Sequence, residues 1–143
     1  MQLLNLNITT ATTLLVGSNF QIRGGVAGVD YPTNMLLQAN FTYGSGGTSV
    51  NAWIQTSADS GLTWIDIANF SFLLATARKV INLNPALSVA SFTPTDGTLA
   101  ADTVKDGVFG NFYRVKYTTV GTYAGGTTLR IDAQTSGLRA TLP

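Results

Sequence analysis

Seven Asp are the only side-chain carboxylates in this 143-residue chain, which contains no Glu, His or Cys. Those absences exclude a Ser-His-Asp relay, a Cys nucleophile, His-ligated metal, zinc ribbons and iron–sulfur ligation. Asp96, Asp102 and Asp106 share one Gly-containing segment, the kind of place where loop oxygens collect Ca²⁺. Their spacing matches no calcium loop, however, and Asp-Gly pairs are ordinary turn formers. Two Asp can cleave a glycosidic bond only where burial raises the pKa of one, and no local pattern announces such a site. The sequence therefore predicts a non-enzyme with no catalytic residue, metal site or cofactor.

The best-defined motif is Ser57-Ala58-Asp59-Ser60-Gly61-Leu62-Thr63-Trp64, which fits S-x-D-x-G-x-x-W. Its physics is local: the Asp carboxylate accepts backbone N–H groups inside a turn, Gly supplies a positive φ, and Trp packs beside the hairpin. The motif resembles the Asp box of sialidases and other glycan-handling β-proteins, where it is structural and lies away from the chemistry. Ser57, Asp59, Gly61 and Trp64 are thus expected to build a turn. A four-residue loop over Ala58–Gly61 would set Ile54 opposite Ile65 and Ala52 opposite Ile67. Val50, Ala52, Ile54, Ile65 and Ile67 then form a core face, and Asn51, Trp53, Gln55, Trp64 and Asp66 the other. Trp53 and Trp64 become diagonal neighbours, able to serve as a sugar platform or an interface anchor. Burial, in the fold or in an assembly, is the reading favoured here.

The elements that must position these residues are strands. The chain has 21 Thr, with Gly, Asn and Ser between short apolar alternations, and no sustained 3.6-residue stripe. Strands are expected over Leu3–Thr9, Thr12–Gln21, Met35–Tyr43, Ser49–Ser57, Thr63–Phe72, Arg78–Leu83, Val89–Phe92, Phe112–Thr119 and Thr127–Gln134. This predicts an all-β fold, a two-sheet antiparallel β-sandwich or jelly roll of about eight strands. Residues 1–15 form an N-terminal arm or edge strand, 16–136 a single domain, and 137–143 a C-terminal tail. Pro94–Asn111 is the longest connection and reads as a crossover between sheets. Arg114 and Lys116 alternate with apolar neighbours and are placed on a solvent face, with Lys116 pairing Asp132 across strands. Tyr123 falls at a hairpin tip, exposed or clipped onto a neighbour.

Only 10% of the residues are charged, against roughly 25% in an ordinary domain. Hydrophobic residues make up 45% and mean hydropathy is +0.22. A net charge of +1 with scattered basic residues gives no pull on phosphate, so nucleic acid is not an expected partner. No apolar run approaches the roughly 20 residues of a membrane span, and the first residues lack the features of a signal peptide.

One further pattern is distributed along the chain. Phe41-Thr42-Tyr43-Gly44-Ser45-Gly46-Gly47-Thr48-Ser49-Val50, then Trp53 to Ser57, then Trp64 to Phe70, form an ordered series. It continues through Thr95-Asp96-Gly97-Thr98-Leu99, Val104-Lys105-Asp106-Gly107, Arg114-Val115-Lys116 and Gly121 to Gly125. From about Met35 to Gln134 this resembles small β-rich virion proteins of tailed bacteriophages. The resemblance implies a capsid decoration (cement) protein on the virion surface, made in the host cytoplasm, with the major capsid protein and copies of itself, as a trimer, for partners. A tail, baseplate or head-fibre component and a glycan-binding sandwich module are the alternatives. Met1–Leu15 and Gly137–Pro143 are then the expected docking arms, with Leu3, Leu4, Leu6, Trp53, Trp64, Tyr123, Leu138 and Leu142 as interaction residues.

Overall fold

The computed structural model describes residues 1–21 and 30–139, with side chains for 1–21 and 34–136. Its strands are β1 (Gln2–Asn7), β2 (Thr12–Val16), β3 (Phe20–Gln21), β4 (Asp30–Thr42), β5 (Ser45–Gly46) and β6 (Ser49–Ser57). They continue with β7 (Ile65–Phe72), β8 (Ala77–Leu83), β9 (Phe112–Val120), β10 (Tyr123–Ala124) and β11 (Thr128–Arg139). The protein is an all-β antiparallel sandwich. One sheet has the order β1-β11-β4-β8, and the other has the order β2-β9-β6-β7, with β3 also paired to β9. Folding the chain back on itself therefore pairs β1 with β11, β2 with β9, β4 with β8 and β6 with β7. That nested pairing, wrapped over two sheets, is the jelly roll.

Period-2 alternation decides which faces meet. Met35, Leu37, Ala39 and Phe41 of β4 and Leu129, Ile131 and Ala133 of β11 turn inward from the first sheet. Val50, Ala52 and Ile54 of β6, Tyr113, Val115 and Tyr117 of β9, and Ala68, Phe70 and Phe72 of β7 answer from the second. Phe41 and Phe72 stack across the gap with ring centroids 5.0 Å apart, an arrangement contributing about 1 kcal/mol beyond burial.

The two ends of the sandwich differ. At one end β5 pairs with β10, and the Tyr123 ring lies over Gly47 so closely that a Cβ there would fall 2.1 Å from it. Tyr123 is buried within its own fold rather than displayed at a tip, because the β10 turn folds back onto β5. The opposite end carries Leu83, Ile65, the Ser57 turn and the start of β9, together with the connections that leave them. Val89–Phe92 is not a strand; it belongs to the irregular connection after β8.

The N-terminal residues are part of the first sheet. Leu3 and Leu4 are core residues and Leu6 packs against the core, so these three leucines are not surface anchors of a free arm. A register shift between Gln2 and Leu4 lets two consecutive leucines turn inward. Residues 137–139 continue β11 rather than starting a tail; the side chain of Leu138 and the whole of Leu142 lie outside the described residues.

Candidate functional site

The Asp-box turn is complete. Ser57 Oγ donates to Asp59 Oδ1 at 2.7 Å and accepts the Gly61 N–H at 2.8 Å. Thr63 gives Asp59 its backbone N–H at 2.8 Å and its hydroxyl at 2.6 Å. These bonds, led by the Thr63 hydroxyl, pull the Asp59 carboxyl down to a pKa of about 2. Gly61 takes φ +90, and Trp64 Nε1 donates to its carbonyl at 3.1 Å. The polar side chains of Ser57, Asp59, Thr63 and Trp64 all bond within the turn.

The hairpin register differs from the sequence-based one. Thr56 faces Ile65, Gln55 faces Asp66, and a bulge after Ile54 makes Ile54 face Ala68. The turn between the strands is longer than four residues, because the Asp59 bonds to Thr63 hold Leu62 and Thr63 out of the ladder. Trp64 consequently precedes β7 and stacks on Arg114, whose guanidinium carbon lies 4.1 Å from the ring centroid, instead of meeting Trp53. Both Trp side chains are only 8% exposed, which removes them as a sugar platform.

The outer face of the second sheet carries a feature the sequence did not reveal. The Pro94–Asn111 connection does cross from one sheet to the other, and on its way it straps down over this face. Asp66, 1% exposed, accepts the backbone N–H groups of Gly97, Thr98 and Leu99 and the Gln55 amide. Trp53 Nε1 donates to the Leu99 carbonyl at 2.9 Å. Further along, Asn69 N–H donates to Thr103, and Lys105 N–H to Ile67, so the strap runs as a partial extra strand along the β7 edge.

Charges close the arrangement. Gln55 Nε2 bridges Asp66 Oδ1 and Asp96 Oδ1 at 2.8 and 2.6 Å, and Gln55 Oε1 accepts Arg114 Nε at 2.7 Å. Lys116 Nζ lies 2.6 Å from Asp96 Oδ1, with Arg114 Nη2 at 3.7 Å. Burial works against ionised Asp96, but bonds from Lys116 and Gln55 and the two cations outweigh it and lower its pKa. Burial likewise lowers that of Arg114, opposed by Asp96 and Asp66. Arg114 and Lys116 are therefore covered, with side chains 14% and 12% exposed, not on a solvent face. Lys116 cannot pair with Asp132, which belongs to the other sheet and bonds Arg130.

The three loop Asp do not converge. Asp96 binds Lys116, Asp102 binds Lys79 and the Ser71 N–H, and Asp106 accepts the Asn84 and Gly107 N–H groups. No group of three potential metal ligands gathers among the described residues. Each carboxylate anchors a different part of the chain, a mechanical role.

What the strap leaves uncovered is apolar. Edge strand β2 exposes Leu14, Leu15 and Val16 by 41, 47 and 49%. At Leu14 the backbone takes φ +48, and its side chain leans onto Gly97 at the tip of the strap. At the far end Ile65, Val89, Phe92, Pro94, Val108 and Phe109 line a groove of about 520 Å³. Sequence reasoning missed this groove because its walls come from irregular chain, where apolar residues show no period. No family model, curated protein or solved structure matches the chain.

Proposed function

We propose that the chain is a non-enzymatic structural protein of a bacteriophage virion, a decoration subunit that binds the head shell and adds contacts between neighbouring major capsid subunits. The observation that carries the reading is the rim of the second sheet. Three consecutive exposed apolar residues, Leu14, Leu15 and Val16, lie on a strand that, among the described residues, is hydrogen-bonded on one side. Such an edge is a template for association unless a partner covers it, and a chain with 10% charged residues does little to blunt it.

The virion context rests on the ordered series of stretches from Phe41 to Gly125 that resembles tailed-phage structural proteins. The jelly roll is compatible with it, since the fold recurs in capsid proteins, but it also recurs in lectins and assigns no function by itself. Asp66 accepts four donors and Asp96 Oδ1 is held by Gln55 and Lys116, which suits anchoring.

Pelleting the protein with head shells that lack it tests the reading. The expected result is saturable binding at hundreds of copies per shell, weakened at least about tenfold by Leu15→Lys, which puts a charge on the rim. No binding would overturn the proposal; a handful of copies per particle would move the protein to the tail or a head fibre.

A further inference from the structure

Among the described residues the sandwich has four edge strands, β1 and β8 in the first sheet and β2 and β7 in the second. Three of them are blunted. β1 is bulged between Gln2 and Leu4. β2 breaks register between Thr12 and Leu15, with Leu14 at φ +48, which suits contact through its side chains rather than an added strand. The strap covers the β7 edge through the Thr103 and Lys105 backbone bonds. Bulges and covering segments are the devices that keep a sheet from growing.

β8 has neither. Its seven residues, Ala77–Leu83, hold an unshifted register with β4 and include no Gly, Pro or positive φ. Among the described residues they pair on that side alone. The cations of β8 do not guard it. Lys79 turns away to Asp102, 2.6 Å distant, and to the Ser71 carbonyl, which leaves Arg78 near one end. Beside the free edge a cleft of about 310 Å³, lined by Phe70, Ile81 and Asp102, has room for an incoming strand.

We propose that β8 pairs antiparallel with β8 of a second copy about a two-fold axis at Val80, joining two four-stranded sheets into one continuous sheet. This contact is separate from shell binding at β2, and neither depends on the other.

The self-complementarity of the strand selects a second copy as the occupant. In that register Val80, 53% exposed, meets its own counterpart, Arg78 meets Asn82, and Lys79 meets Ile81. No like charges stand directly opposite, and each Lys79 keeps its own Asp102. Leu73 and Leu74 before the strand and Leu87 after it are all more than half exposed. Antiparallel pairing sets the leading turn of one copy beside the trailing turn of the other, so these leucines cover one another twice. Such an isologous contact closes as a dimer and leaves no β8 edge for a third copy. A seven-residue edge with two flanking turns is a small interface, which sets the affinity in roughly the micromolar range.

Because the chain has no Cys, one introduced thiol reports the contact. Residues directly opposite in an antiparallel pair have Cα atoms about 4.5–5.5 Å apart, within disulfide range. Val80→Cys should therefore give a covalent dimer under mild oxidation. Leu15→Cys, comparably exposed on β2, should crosslink at least about tenfold more slowly. In sedimentation velocity the parent chain should dimerise. Val80→Lys sets two ammonium groups against each other at the axis and should weaken the dimer by about tenfold or more. Asn82→Arg, facing Arg78 of the second copy, should also weaken it, whereas Asn82→Asp should strengthen it, a change of sign that this register requires. Both positions are exposed in the single chain, so circular dichroism melts should match the parent; if Val80→Lys unfolds, the Cys and Asn82 variants carry the test. A parent chain monomeric across roughly 1–100 μM overturns the β8 contact. So does a dimer indifferent to Val80→Lys and Asn82→Arg, or equal crosslinking at Val80→Cys and Leu15→Cys. Shell binding is read separately by pelleting, so the failure of one is distinguishable from the failure of the other.

Discussion

Asp66 holds three successive strap N–H groups, and it shares the Gln55 amide with Asp96. Asp66→Ala leaves the three strap N–H groups without that acceptor, and should lower unfolding stability by about 3 kcal/mol in denaturant titration. Asp66→Asn keeps an acceptor oxygen and should lose less; a loss under about 1 kcal/mol for the alanine variant would mean that the strap stands without its anchor. Alternation placed Asp66, Gln55 and Trp53 on the face away from the core, and the structure agrees. What alternation could not see is that a segment some 30 residues later lies over that face. A polar residue looks the same in sequence whether water or a loop covers it. Trp64 was misplaced for a related reason: the Asp59 bonds to Thr63 lengthen the turn and delay pairing to Ile65, which the apolar pattern of the strands does not mark.

Carboxylates act collectively on two elements, the Asp-box turn and the strap. Asp59, at about 2, and Asp96, also lowered, titrate in the folded protein below their ordinary 3.8. As pH falls the unfolded chain takes up these protons first, so the stabilisation is full above the unfolded value and is lost on falling toward the folded one. Melting temperature should hold steady above about pH 5 and drop between about pH 4 and pH 2, and Asp59→Asn should flatten part of that slope. A flat profile to pH 2 would show that neither element depends on its carboxylate. At this scale the strand Ser49–Ser57 was legible to the residue, because both of its ends are marked by loop chemistry. Val89–Phe92 was read as a strand, since apolar alternation does not distinguish pairing with a neighbour from lining a groove.

Over the whole molecule, the nested pairing joins the first strand to the last, so most contacts close long loops. Refolding followed by Trp53 and Trp64 fluorescence should fall in the range of about milliseconds to seconds, as for other sandwiches; a microsecond relaxation would contradict this topology. The two-sheet architecture was legible from strand number and spacing. The sheet order was not, because pairing β1 with β11 spans nearly the full sequence and leaves no local trace. The same topology gives the molecule a direction. Met1 bonds Ala133 at one pole, whereas Gly125 and Gly126 turn at the opposite pole. A Cβ at Gly126 would meet nothing within 4 Å. Cargo spliced into that glycine turn would therefore emerge at the pole away from the Met1–Ala133 bonds, making the sandwich a one-way mount.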